Sequence, residues 1–111
     1  MAAKILGQTF ITGSGYTTVY TVPSGYEASF TVSFVNIGTA VTGVTASFAI
    51  TDSGVTTPSG QHWIEYGTIL ESGQVLERTA LVAQEYKNIV VYSDNSSGLA
   101  VSAYGYEEAV V

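Results

Sequence analysis

The sequence predicts an all-β fold, an antiparallel β-sandwich of about eight strands with either jelly-roll or immunoglobulin-like connectivity. Three observations carry that prediction. Apolar and polar residues alternate with period two along most of the chain, the mark of half-buried strands. Clusters of Gly, Pro, Ser and Asn interrupt the alternation roughly every 8 to 12 residues. Val, Thr, Tyr and Phe dominate the alternating runs, and these residues suit a pleated surface.

Strands are expected near residues 5–11, 16–22, 26–35, 42–51, 62–66, 74–83, 87–92 and 99–106. The turns between them are "GSG" at 13–15, "PSG" at 23–25, "NIGTA" at 36–40, "TPSG" at 57–60, "ESG" at 71–73 and "DNSSG" at 94–98. In "YEASFTVSF", Tyr26, Ala28, Phe30, Val32 and Phe34 form the core face, and Glu27, Ser29, Thr31 and Ser33 the wet face. In "VTASFAIT", Val44, Ala46, Phe48 and Ile50 face inward, opposite Thr45, Ser47 and Thr51. Pro23 donates nothing to a ladder, and Gly25 accommodates a turn with positive φ. The segment "QVLERTALVAQEYK" supports two readings. Leu76, Ala80, Ala83 and Tyr86 lie near helical spacing, while Leu76, Arg78, Ala80 and Val82 alternate as in a strand.

At 111 residues the chain forms a single domain. Residues 9–108 are expected to be the sandwich, with 1–8 an N-terminal arm overlapping the first strand and 109–111 a short tail. The absence of cysteine excludes disulfides and thiolate metal sites. Charged residues make up 11% against 46% hydrophobic, which argues against disorder. Net charge is −6, with only Lys4, Arg78 and Lys87 basic. Too few cations exist to neutralise phosphates, so neither nucleic acid nor an anionic membrane is an expected partner. "MAAKILGQTF" has no long apolar run, so no secretory signal is expected and synthesis in the cytoplasm is.

The search for chemistry finds no catalytic set, and no enzyme activity or cofactor is expected. His62 is the one histidine, no G-x-S-x-G elbow occurs, and Glu107 and Glu108 alternate to opposite faces if extended. Asp52 and Asp94 offer loop oxygens of the kind calcium takes, but without the spaced ligands of an EF-hand. Backbone-bonding turn chemistry explains them as well. The aromatics carry more information. Tyrosine buries its ring while its hydroxyl stays wet, which suits interfaces. Tyr16, Tyr20, Trp63, Tyr66, Tyr104 and Tyr106 are therefore candidate partner contacts, together with Lys4, Ile5 and Leu6 of the arm.

Three landmarks, in this order, resemble a family of small bacteriophage virion proteins. They are "VYTVPSGYEASFTVSFVNIGTA", "HWIEYGTILESGQVLE" and "NIVVYSDNSSGLAVSAYGYEE", spanning Val19 to Glu108. The first resembles a pattern of Leu/Val-Tyr-Thr-Val-Pro-small-Gly-x-Glu-Ala followed by a hydrophobic strand ending in Asn-x-Gly. The second resembles an aromatic-rich strand, a turn and a new strand. The third resembles a closing hairpin ending in aromatic-Gly-x-Glu. One departure is the short, Gly- and Thr-rich "TDSGVTTPSGQ". The resemblance implies an all-β sandwich, favours strand over helix for 74–83, and implies a structural role in the virion. The expected role is a capsid cement or decoration protein, a homo-oligomer (a trimer at threefold positions) bound to the major capsid protein or other virion proteins. Tail, neck or fibre association shares the same fold, and a carbohydrate-binding module is the reading from a different class.

Overall fold

The computed structural model describes residues 3–38, 43–94 and 98–110. Met1 and Ala2, turn positions 39–40 and 95–97, strand position 42 and Val111 lie outside the described residues. Eight strands run in order: β1 (Lys4–Ile11), β2 (Gly15–Thr21), β3 (Tyr26–Asn36), β4 (Val44–Thr51), β5 (Trp63–Leu70), β6 (Val75–Ala83), β7 (Asn88–Ser93) and β8 (Leu99–Ala109). A 3-10 turn, Gly60–His62, precedes β5, so His62 falls before the strand rather than on it. Two four-stranded sheets form, ordered β1-β8-β3-β6 and β2-β7-β4-β5.

This order follows from folding one long antiparallel ribbon. β1 pairs with β8, β2 with β7, β3 with β6 and β4 with β5. The ribbon then wraps so that β8 meets β3 and β7 meets β4. That connectivity is a jelly roll and excludes the immunoglobulin alternative.

The core lies between the sheets. β3 supplies Ala28, Phe30, Val32 and Phe34, and β4 supplies Val44, Ala46 and Phe48. Phe34 and Phe48 are fully buried and meet with ring centroids 5.8 Å apart. Tyr26 was expected to open this face, yet it is 40% exposed, because it stands at the strand's open end. Buried Asn36 closes the other end of β3. Its Nδ2 donates to the Leu70 carbonyl at 2.8 Å, and its Oδ1 accepts from Gly38 N at 2.9 Å.

Each edge strand contains a β-bulge. One extra residue interrupts the ladder at Leu6 in β1 and at Val19 in β2. β5 is interrupted twice, at Ile64 and at Tyr66–Gly67, and β6 once, at Thr79–Ala80. The central ladders, β3–β8 and β4–β7, run without a shift. The β6 bulge resolves the ambiguous segment. Ala80 sits at φ 59°, and the extra residue moves the inward set from Leu76 and Arg78 to Leu81 and Ala83. The helix-like spacing is therefore a bulged strand.

The bulges also close the sandwich. Leu6 and Val19 both pack against the core. Gly7 lies so close to β2 that a Cβ there would overlap the Val19 carbonyl oxygen. Lys4–Gln8 is thus the first half of a paired strand, which corrects the arm: from Lys4 onward its backbone belongs to the β1–β8 ladder. At the opposite edge, Arg78 Nη1 meets Glu65 Oε1 at 2.5 Å across the β5–β6 gap.

Gly7→Ala forces a methyl into backbone that has no room to move. The variant should lose about 1–3 kcal/mol, read as a Tm drop of about 5 °C or more. Gly13→Ala, where a Cβ meets nothing within 4 Å, should leave Tm unchanged. Equal melting of both variants would show that the β1–β2 approach is not a constraint.

Candidate functional site

Strand register builds the outer face of the first sheet in rows. Phe10 lies beside Ala100, Ala100 beside Val35, and Val35 beside Val75, so one apolar row crosses all four strands. Phe10 is 52% exposed and Val75 58%, and Ile37 just beyond β3 is 60% exposed. The next row is polar: Gln8, Ser102, Ser33 and Glu77. Ile5, Tyr104 and Thr31 follow, then Tyr106, Ser29 and Val82, and finally Glu108 opposite Glu27. A surface hollow of about 350 Å³ lies among the last two rows.

The outer face of the second sheet is divided. Its central residues Val90 and Ala49 point away from the core yet are 1% and 0% exposed. The loop 52–62 folds back onto this side. Asn88 Nδ2 donates to the carbonyls of Asp52 at 3.1 Å and Val55 at 3.3 Å, and Thr51 Oγ1 donates to Val55 O at 2.6 Å. Ser47 and Thr51, expected on a wet face, are buried. Four aromatics occupy the rest of the face. Tyr16 and Tyr92 pair at 4.7 Å, and Trp63 and Tyr66 meet edge to face at 5.0 Å.

The candidate contact residues do not converge. Ile5, Tyr104 and Tyr106 lie on the outer face of the first sheet, and Tyr104 donates to Glu77 Oε2 at 2.7 Å. Tyr16, Trp63 and Tyr66 lie on the outer face of the second. Leu6 is the bulge residue packed against the core. Tyr20 is 8% exposed and is a core residue, not a contact. The Val19 bulge shifts the strand by one, so Tyr20 pairs with inward-facing Ile89 instead of continuing the outward series of Tyr16 and Thr18.

Tyr20 and Lys4 meet at a polar plug near the β1–β2 edge. The Tyr20 hydroxyl donates to Glu107 Oε2 at 2.5 Å, and Lys4 Nζ meets Glu107 Oε1 at 2.5 Å. The lysine first, then the tyrosine hydroxyl, hold the Glu107 carboxyl below its usual range. Burial first, then the Glu107 carboxylate, push the Tyr20 hydroxyl well above its usual value. The loop acids are engaged as well. Lys87 first, then His62, keep Asp52 low, and Asp94 Oδ1 accepts from Thr45 Oγ1 at 2.5 Å. His62 Nδ1 accepts from Ser59 N at 3.0 Å, and its Nε2 lies 3.5 Å from Asp52 Oδ2. Among the described residues, no group of three or more His, Asp or Glu side chains is placed to hold a metal ion. Among the described residues, no helix is long and apolar enough to cross a membrane.

Sequence reasoning missed Phe10, Ile37, Val75, Val82 and Tyr92. Alternation alone marks Phe10 and Val75 as outward, but only cross-strand register shows that they share a row. The fold and its two outer faces define a jelly-roll β-sandwich whose largest exposed chemistry is apolar, aromatic and acidic. The chain matches no family model and no curated protein.

Glu107 sets a testable pH dependence. A carboxyl held low in the folded state adds stability above its unfolded value, near pH 4.3. That contribution is lost as pH falls through the folded value. Glu107→Gln should therefore melt lower than wild type at pH 7, and the two melting curves should converge in acid. A constant gap between them from pH 7 to about pH 3 would remove the plug's electrostatic role.

Proposed function

We propose that the chain is a structural subunit of a bacteriophage particle, most concretely a cement or decoration protein on the head. It adheres to the major capsid protein through non-covalent contacts and catalyses nothing. The observation that carries this reading is the apolar row Phe10, Ala100, Val35 and Val75. Exposed apolar residues are ordinarily scattered singly, and contiguous exposed patches mark interaction sites. The virion itself comes from the sequence resemblance. Jelly rolls serve in capsid domains and lectins alike, so the fold adds an analogy and no more. With Lys4–Gln8 in the first sheet, adhesion is assigned to sheet faces rather than to a free arm. A trimer suits attachment at threefold positions, and tail, neck or fibre attachment would use the same face.

The aromatic face of the second sheet favours one other reading, a carbohydrate-binding module. Tyr16, Tyr92, Trp63 and Tyr66 offer ring faces and edges beside small Ser47 and Ala49.

Purified protein should bind particles lacking it, saturating at a fixed ratio per capsomer, with an oligomer visible by light scattering. No binding to heads, tails or fibres would end the virion reading. Clear, saturable signals on a glycan array, lost in Trp63→Ala and Tyr66→Ala, would replace it with the carbohydrate reading.

A further inference from the structure

We propose that the outer face of the β1-β8-β3-β6 sheet docks a basic protein surface. Partner Lys or Arg side chains enter the Glu27–Glu108 hollow, and a partner apolar patch covers the Phe10 row. The inference rests on the assembly reading above and names the face and the partner's chemistry.

Charge complementarity is the argument. The chain has nine acids and three basic side chains, and all three cations are committed internally. Lys4 pairs with Glu107, Arg78 with Glu65 and Lys87 with Asp52. Among the described residues six acids have no cation partner, and three of them, Glu27, Glu77 and Glu108, lie on this one face.

Two of the three are directly opposed. Glu27 and Glu108 face each other in the β3–β8 ladder, both exposed. Like charges in that position are destabilising, and a cation placed between them removes the repulsion. Among the described residues, neither carboxylate has an ion-pair partner. The hollow is also shaped for a side chain. Ser29, Val82 and Gln84 line it together with Tyr106 and the two acids. Its volume of about 350 Å³ falls at the small end of ligand pockets. A guanidinium or ammonium placed there meets two carboxylates and a tyrosine ring, which attracts cations through its face. The apolar row at the other end of the same face supplies the area that an ion pair alone lacks.

The direct test uses a hexa-arginine peptide as probe, with binding read by calorimetry at low salt. The E27Q/E108Q variant should weaken binding by about fivefold or more. The E71Q/D94N variant makes the same change in net charge elsewhere and should change binding by less than about twofold. Equal weakening in both variants would mean the peptide senses only the overall field, and would overturn the inference. Folding is checked in parallel: removing the opposed carboxylates should leave Tm unchanged or higher. On particles, E27Q/E108Q and F10S/V75S should each lower occupancy. Wild-type occupancy by both variants would reject this face while leaving the assembly reading intact. Failure of the wild type to bind particles, with the peptide contrast preserved, would reject the assembly reading and keep the basic-partner face.

Discussion

The structure depends on how a sandwich with four open strand edges is closed by a chain with few charged side chains, only 11% of its residues. Exposed edges are normally guarded by lysines and other charges. Here only three basic side chains exist. The chain uses backbone irregularity instead. Every edge strand carries a bulge, and the central ladders carry none. On one side the bulges at Leu6 and Val19 turn two edges toward each other until Gly7 touches β2 backbone. On the other, Arg78 is aimed inward to Glu65, whose carboxyl is held low by Thr68 first and then by the arginine. The bulges increase local twist and interrupt the flat row of donors and acceptors that a foreign strand would need.

This explains which parts of the molecule were legible in the sequence. The unbulged strands read correctly: the inward series Ala28, Phe30, Val32, Phe34 and Val44, Ala46, Phe48 follow simple alternation. The misreadings fall largely where an extra residue reverses that alternation. Tyr20 was named a contact because tyrosine suits interfaces, and the bulge at Val19 sends it inward instead of continuing the outward series of Tyr16 and Thr18. Residues 74–83 were expected as a strand and are one, and the helix-like spacing that competed with that reading reflects the extra residue near Ala80. The strand expected at 62–66 runs on to Leu70, past the bulge at Tyr66–Gly67. The buried Ser47 and Thr51 were hidden for another reason. No local pattern shows that loop 52–62 folds back on the second sheet.

The surfaces were harder to see than the core because they are two-dimensional. Phe10, Ala100, Val35 and Val75 come from four strands distant in sequence, and only register aligns them. The same holds for Glu27 and Glu108. An edge-closed sandwich leaves its faces as the remaining broad surfaces, and these faces differ. The first combines an apolar band with uncompensated carboxylates. The second is aromatic and partly roofed by its own loop.

The ribbon topology has a consequence for how the chain is made. β4 and β5 are neighbours in sequence and can pair early, followed outward along the ribbon by β3 with β6 and β2 with β7. β1 is synthesised first but finds its ladder partner only in β8, the last strand to be made. Such distant pairing folds slowly. Until synthesis reaches Leu99, the Lys4–Ile11 segment has no sheet to join, and Leu6 cannot reach its bulged place against the core. Sealing of the β1–β2 edge therefore waits for β8, and a nascent chain stalled before that strand still carries the strand edges that the folded sandwich hides.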